Sequence, residues 1–150
     1  MALPPGRILG LDYGDKTIGV AVSDPLRIMA LGVETIRRER ENALRASFRR
    51  LRELIDQYTP LEAIVLGYPK NMNNTEGERC AKTMIFKGKI AKNFPDIQVI
   101  LWDERLSTVW AKRELIRNRS KMPINSVVDE MAAVFILQGY MDFKETYNGD

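Results

Sequence analysis

The chain contains no histidine, and its only cysteine is Cys80. Without histidine there can be no Ser-His-Asp triad and no Cys-His dyad. A zinc site of the H-E-x-x-H kind is excluded as well. One cysteine forms no internal disulfide and builds no metal cluster by itself. Any acid/base chemistry must therefore come from carboxylates, lysines or water held by a metal. Long apolar runs are also missing. The longest uncharged stretch, residues 131–141, falls short of the roughly 18 residues a membrane-spanning helix needs. The opening MALPPGRILGLDYG lacks a charged segment followed by an apolar core and a cleavage site. No secretion signal is expected, and a cytoplasmic location is.

What is present is ordinary for a globular protein. The 150 residues include 45% hydrophobic and 29% charged side chains, which suits one domain spanning residues 1–150. The formal charge of +3 permits a polyanionic partner without requiring one.

Apolar periodicity divides the chain. Residues 7–12 (RILGLD) read as a buried strand, and 17–22 (TIGVAV) as a second, rich in β-branched residues. Residues 30–37 suggest a third, and the short turns between them predict an antiparallel meander. Leu44, Phe48, Leu51, Ile55 and Tyr58 recur on one helical face, predicting a helix over 41–58. A compact strand follows at 62–66, with Gly67, Tyr68 and Pro69 as a loop. Further helices are expected at 76–93, 107–117 and 127–143, with a fifth strand at 97–102. The helical connections imply parallel pairing of the later strands. The expected architecture is α/β: a mixed five-stranded sheet, three antiparallel strands then parallel ones, flanked by helices.

Open α/β sheets bind ligands beyond the carboxyl ends of their strands. Asp12 ends the first strand, Asp103 and Glu104 follow the fifth, and Asp129 and Glu130 open the last helix. Taken singly, each has a structural explanation. Asp12 suits a turn, Asp103 an N-cap, and Asp129 a first helical turn. Ala133, Ile136 and Tyr140 align with Asp129, but Val134, Leu137 and Met141 align equally with Glu130. A charge beside an apolar face is costly unless paired or coordinated. Spacing alone leaves both acidic pairs open.

Four strings in order then carry a resemblance: ILGLDYGDKTIGVAVSDP, LGYPKNMNNTEGER, VILWDERLST and VVDEMAAVFILQGYMD. Together they resemble the YqgF family, which is related to the RuvC-type Holliday junction resolvases. The resemblance covers nearly the whole chain. It implies a ribonuclease-H-like fold and a metal-dependent nuclease, most simply one that matures the 5′ end of precursor 16S rRNA. It also implies Asp12, Glu104 and Asp129 as catalytic, metal-holding carboxylates, with Mg²⁺ or Mn²⁺ as cofactor. Lys16, Lys70 and Arg105 fall within the matched motifs and are candidate phosphate contacts. Arg79, Arg113 and Arg117 are further candidates. Two positions depart from the family pattern: Asn74 replaces a common glycine, and RNRSKMPINS is less basic than the corresponding loop.

Rival readings remain. A four-way DNA junction would demand a symmetric dimer, whereas RNA trimming allows a monomer or a homodimer. An actin-like ATPase also begins with a strand and D-x-G but needs two such domains. A non-catalytic nucleic-acid-binding module would keep the fold alone, and Tyr13, Tyr68 and Trp102 are candidates for stacking bases there. Arg45, Arg49 and Arg52 form a basic stripe on the first helix, interleaved with acids as a solvated face would be.

Overall fold

The computed structural model describes residues 6–70, 73, 75–104 and 124–148, with side chains in the last segment described from 131 to 144. The helix expected at 107–117, Arg105, Arg113, Arg117, Asn74 and the loop preceding residue 124 lie outside the described residues.

The element order is β1 (Arg7–Tyr13), β2 (Thr17–Ser23), β3 (Ala30–Arg37), α1 (Arg45–Tyr58), β4 (Leu61–Tyr68), α2 (Glu78–Asn93), β5 (Gln98–Asp103) and α3 (Ile124–Asn148). One five-stranded sheet has the order β3-β2-β1-β4-β5. β1 pairs antiparallel with β2, and β2 with β3. β1 and β4 pair in parallel, as do β4 and β5. The expected meander followed by parallel strands is what forms, with β1 at the centre.

Both faces of the sheet are covered, which explains why β1 and β4 read as unbroken apolar runs. On one face Leu9, Leu11, Ile64 and Leu66 pack with Leu51 and Leu54 of α1 and with Phe86 and Ile90 of α2. On the other, Ile8, Ala21, Val65 and Trp102 pack with Ala133, Ile136, Leu137 and Tyr140 of α3. Successive strand residues alternate between these faces.

Three elements depart most from expectation. α1 begins at Arg45 rather than residue 41. The Arg38 guanidinium donates from Nε to the Glu41 carbonyl at 3.0 Å, and Ala43 donates its N–H to Arg40. These bonds commit the segment to a turn, and the helix starts after it. β4 runs on through Gly67 and Tyr68, which pair with Trp102 and Asp103 instead of forming a loop. The last helix extends beyond the expected 127–143 at both ends.

Helix α3 sits close to the sheet at Gly10. A β-carbon there would lie 2.8 Å from Leu137 Cβ and 3.2 Å from the Ala133 carbonyl oxygen. Neither neighbour is the flexible end of a side chain, so any larger residue must push the helix away. Gly10→Ala is expected to lower unfolding free energy by about 1–3 kcal/mol, the cost of overpacking a filled core. Urea denaturation measures it, and unchanged stability would show that α3 is not seated against β1.

Candidate active site

Asp12 occupies the position after Leu11 in β1, opposite Gly19 of β2. The β1–β4 ladder ends with Leu11 beside Leu66, so Asp12 is next in line to Gly67. Gly67 in turn pairs with Trp102 of β5, and Glu104 follows that strand two residues later. Alternation along β1 places Asp12 with Ile8 and Gly10 on the face covered by α3. Glu104 reaches the same face. Its Oε1 lies 2.6 Å from where a Gly67 β-carbon would be, next to Ile136 Cδ1 at 2.5 Å. Asp103 belongs to the opposite alternation of β5, with Val99 and Leu101, which pack toward α1 and α2.

The structure therefore brings Asp12 and Glu104 to one sheet edge and one face, on either side of a strand position that has no side chain. Adjacent strands are about 4.8 Å apart and each residue rises about 3.3 Å, so two spacings across and two residues along separate their backbones by roughly 12 Å. A β-carbon on Gly67 would collide with Ile136 and with the Glu104 carboxylate that lies over it. Both acids are half-buried. Asp129 lies in α3 one turn before Ala133, and Ala133 abuts Gly10. The side chains of Asp129 and Glu130 are outside the described residues, and among the described residues no three acidic, thiol or imidazole groups converge as a metal cluster.

The basic candidates gather at the same edge. Lys16 is exposed in the β1–β2 turn. Arg79, in the first turn of α2, donates from Nη2 to the Tyr13 carbonyl at 3.3 Å. Lys70 follows β4, its N–H donating to the Tyr68 carbonyl at 3.1 Å. The α1 stripe does not join them. Arg45 and Arg49 are exposed on a helix that packs on the other face, and Arg52 is engaged with the Asn93 carbonyl and the Phe94 ring.

Two of the aromatic candidates, Tyr13 and Trp102, are packing residues. Tyr13 stacks on Phe86, with ring centroids 4.1 Å apart and planes at 13°. Trp102 is buried against Tyr140 and Phe143. Tyr68 is half-buried. Burial raises its phenol, and contacts with Cys80 and Glu76 raise it further, to about 12.

One residue at this edge escaped sequence reasoning. Arg38 is only 8% exposed. Its Nη2 donates to the carbonyls of Gly14 at 2.6 Å and Asp15 at 2.7 Å, and its guanidinium covers the Tyr13 ring at 4.9 Å. In the sequence it is the second of two arginines ending an edge strand, a pattern that suggests solvent. The available signal was period two: Ile36 is buried, Arg37 exposed and Arg38 buried again, one position past the strand.

A sheet of order 3-2-1-4-5, with acids beyond its first and last strands on one helix-covered face, is a ribonuclease-H-like domain. The chain is similar over 96% of its length to the structure of Thermus thermophilus RuvC in complex with a Holliday junction substrate, with a TM-score of 0.61, 13% identity and 97% of that chain covered. A second Thermus thermophilus RuvC structure matches over 93% of this chain and 96% of the other, with a TM-score of 0.56 and 12% identity. At these identities the likeness establishes the fold. Residues 6–143 match the model of the RuvX family, described as Holliday junction resolvase. A protein of Agathobacter rectalis named "Putative pre-16S rRNA nuclease" is 53% identical over 141 residues, 91% of this chain and 95% of the other. A Desulfitobacterium hafniense protein of the same name is 46% identical over 144 residues, covering 95% and 96%. The chain belongs to the RuvX (YqgF) family, whose enzymes hydrolyse phosphodiester bonds.

Two outcomes are expected. Gly67→Ala should displace Glu104 and Ile136 and destabilise the fold by about 1–3 kcal/mol in urea. A variant as stable as the parent would refute the close approach. Tyr68 should ionise above the ordinary tyrosine range. Its folded pKa of about 12 lies above the ordinary 10.0. Its stabilising contribution is therefore complete below pH 10 and lost as pH rises through 12. Absorbance titration at alkaline pH, compared with Tyr68→Phe, should show one late tyrosine disappear.

Proposed function

We propose that this chain is a metal-dependent nuclease that trims structured RNA, acting in the cytoplasm on the 5′ end of precursor 16S rRNA. The observation that carries the proposal is the pairing of Asp12 and Glu104 on one face, separated by the bare backbone of Gly67. Relatives named for that activity, 46% and 53% identical over nearly their whole lengths, support the substrate.

The donor set fits a hard divalent cation. Carboxylate oxygens suit Mg²⁺ or Mn²⁺, and the missing Gly67 side chain lets Glu104 reach over β4, the strand beside Asp12. Asp12, Glu104 and Asp129 would hold the ion. When bound, it supplies Lewis-acid activation of water and neutralises charge on the phosphate. The chain's own residues do the rest. Asp12 and Glu104, set at strand ends on one sheet edge, would fix where that ion sits. Lys16, Lys70, Arg79 and Arg105 would grip neighbouring phosphates, which positions a nucleic acid without reading its sequence. No imidazole can shuttle protons, so carboxylates, lysines or water must carry them.

A second substrate has its own support. The family description names Holliday junctions. Two coordinated cuts would require a symmetric dimer.

Cleavage should require Mg²⁺ or Mn²⁺. Asp12→Asn and Glu104→Gln should each lower kcat by about 10³-fold, the several kcal/mol that metal-assisted charge stabilisation supplies. Thermal unfolding should show both variants folded. Precursor rRNA and a four-way DNA junction assayed side by side distinguish the substrates. Activity surviving Asp12→Asn, or absent from the parent on both substrates, would refute the nuclease proposal.

A further inference from the structure

The turn that follows Asp12 is held by an unusual number of charged donors. The Tyr13 carbonyl accepts from Arg79, and the Gly14 and Asp15 carbonyls accept from Arg38 Nη2. The Lys16 carbonyl accepts from the Arg38 backbone N–H at 2.9 Å. Gly14 closes the turn by donating to the Thr17 carbonyl at 2.7 Å. Every carbonyl from Tyr13 to Thr17 thus has a donor, and three of the five depend on Arg38. The Tyr13 ring is also clamped, with Phe86 on one side and the Arg38 guanidinium on the other.

The choice of residue is informative. Arg38 lies buried, and among the described residues no carboxylate forms a salt bridge with it. Its Nη1 is buried and has no acceptor among the described residues. A buried guanidinium without a counter-charge is expensive. A turn that needed only bracing could take a neutral donor. What Arg38 adds is a rigid planar fork, which fixes direction as well as distance. The group so fixed is the chain segment carrying Asp12 at its start and Lys16 at its end.

We propose that Arg38 is a positioning residue of the carboxylate site. It locks the β1–β2 turn so that Asp12 and Lys16 present a fixed geometry to the metal and the phosphate. This role rests on the proposed metal-dependent nuclease activity, and it deepens that proposal by naming what holds its central carboxylate. Small displacements of catalytic groups cost about 10²-fold in rate, so a rigid support matters.

The experiment compares Arg38→Ala and Arg38→Lys with the parent in the full chain, using three measurements. Amide hydrogen exchange follows residues 13–17 against core amides of Leu9, Val20 and Ile64. Electron paramagnetic resonance measures affinity for Mn²⁺ alone. Steady-state kinetics on a precursor rRNA fragment separates kcat from KM. In both variants, exchange in the turn should rise about 10-fold or more while the core stays protected. Mn²⁺ binding should weaken, and kcat should fall about 10- to 100-fold with KM within about twofold. Faster turn exchange with unchanged Mn²⁺ affinity and kcat would make Arg38 a brace only and overturn the proposal. So would unchanged exchange. If Arg38→Ala fails to fold, Arg38→Lys, which keeps the charge and loses the fork, decides the matter. A parent protein that binds no Mn²⁺ would sink the metal site itself and this role with it. A parent that binds while the variants bind equally well would overturn the role of Arg38 alone.

Discussion

Helix α3 lies so close to the sheet that two strand positions beneath it have no room for a β-carbon. Gly10 faces Leu137 and the Ala133 carbonyl, and Gly67 faces Ile136. Glycine weakens a strand by entropy and by what it cannot pack. Here the loss is offset because the helix itself fills the space, burying Ala133, Ile136 and Leu137 almost completely. The site depends on that constraint. At Gly67 the vacated volume is shared between Ile136 and the Glu104 carboxylate, so the residue that seats the helix also admits the acid. A charged group beside an apolar helix is tolerable only where the sheet ends and water or a ligand can reach it.

The opposite side of the edge is built differently. Where α3 meets the sheet through apolar contact, the β1–β2 turn is held by polar donors from two distant segments. Arg38 comes from the end of β3 and Arg79 from the start of α2. Lys82 adds a looser tie, reaching Asp15 at 3.5 Å and Glu41 at 2.7 Å. Exposed pairs of this kind contribute little individually. The buried Arg38 bonds are the stronger element, since low surrounding polarity strengthens each hydrogen bond and penalises its loss. Asp12 therefore sits between a strand ladder on one side and a clamped turn on the other.

Much of the fold could be read from residue pattern because the strands are short, apolar and separated by unambiguous turns. β3 falls where expected, and the strand order follows from helical crossovers. The misjudged boundaries share a cause. Gly67 and Tyr68 resembled a loop because glycine before proline usually ends a strand, yet here the β5 ladder continues across them. Residues 41–44 carried a helical start in composition, but Arg38 had already claimed the Glu41 carbonyl. Both are tertiary contacts, invisible in a local window. At the site, residue spacing alone could not choose between Asp103 and Glu104. The structure supplies the direction each takes, through strand alternation and the space over Gly67. Arg38 was hidden for the reverse reason: its type suggested solvent while its position in the alternation did not.

Charge placement sets how such a site could hold a polyanion. The net charge of +3 is small for a nucleic-acid-binding surface, and part of the positive charge is held in ion pairs. Arg50 is tied to Glu34 and Glu53, Arg27 to Glu62, and Lys82 to Asp15, Glu41 and Glu78. Arg38 is buried, and Arg45 and Arg49 belong to a helix on the other face of the sheet. Near the acids, the described residues offer Lys16, Lys70 and Arg79. A handful of phosphate contacts gives modest, salt-sensitive affinity and little sequence discrimination. Selectivity would then have to come from the shape of a folded RNA or a branched DNA fitting the edge.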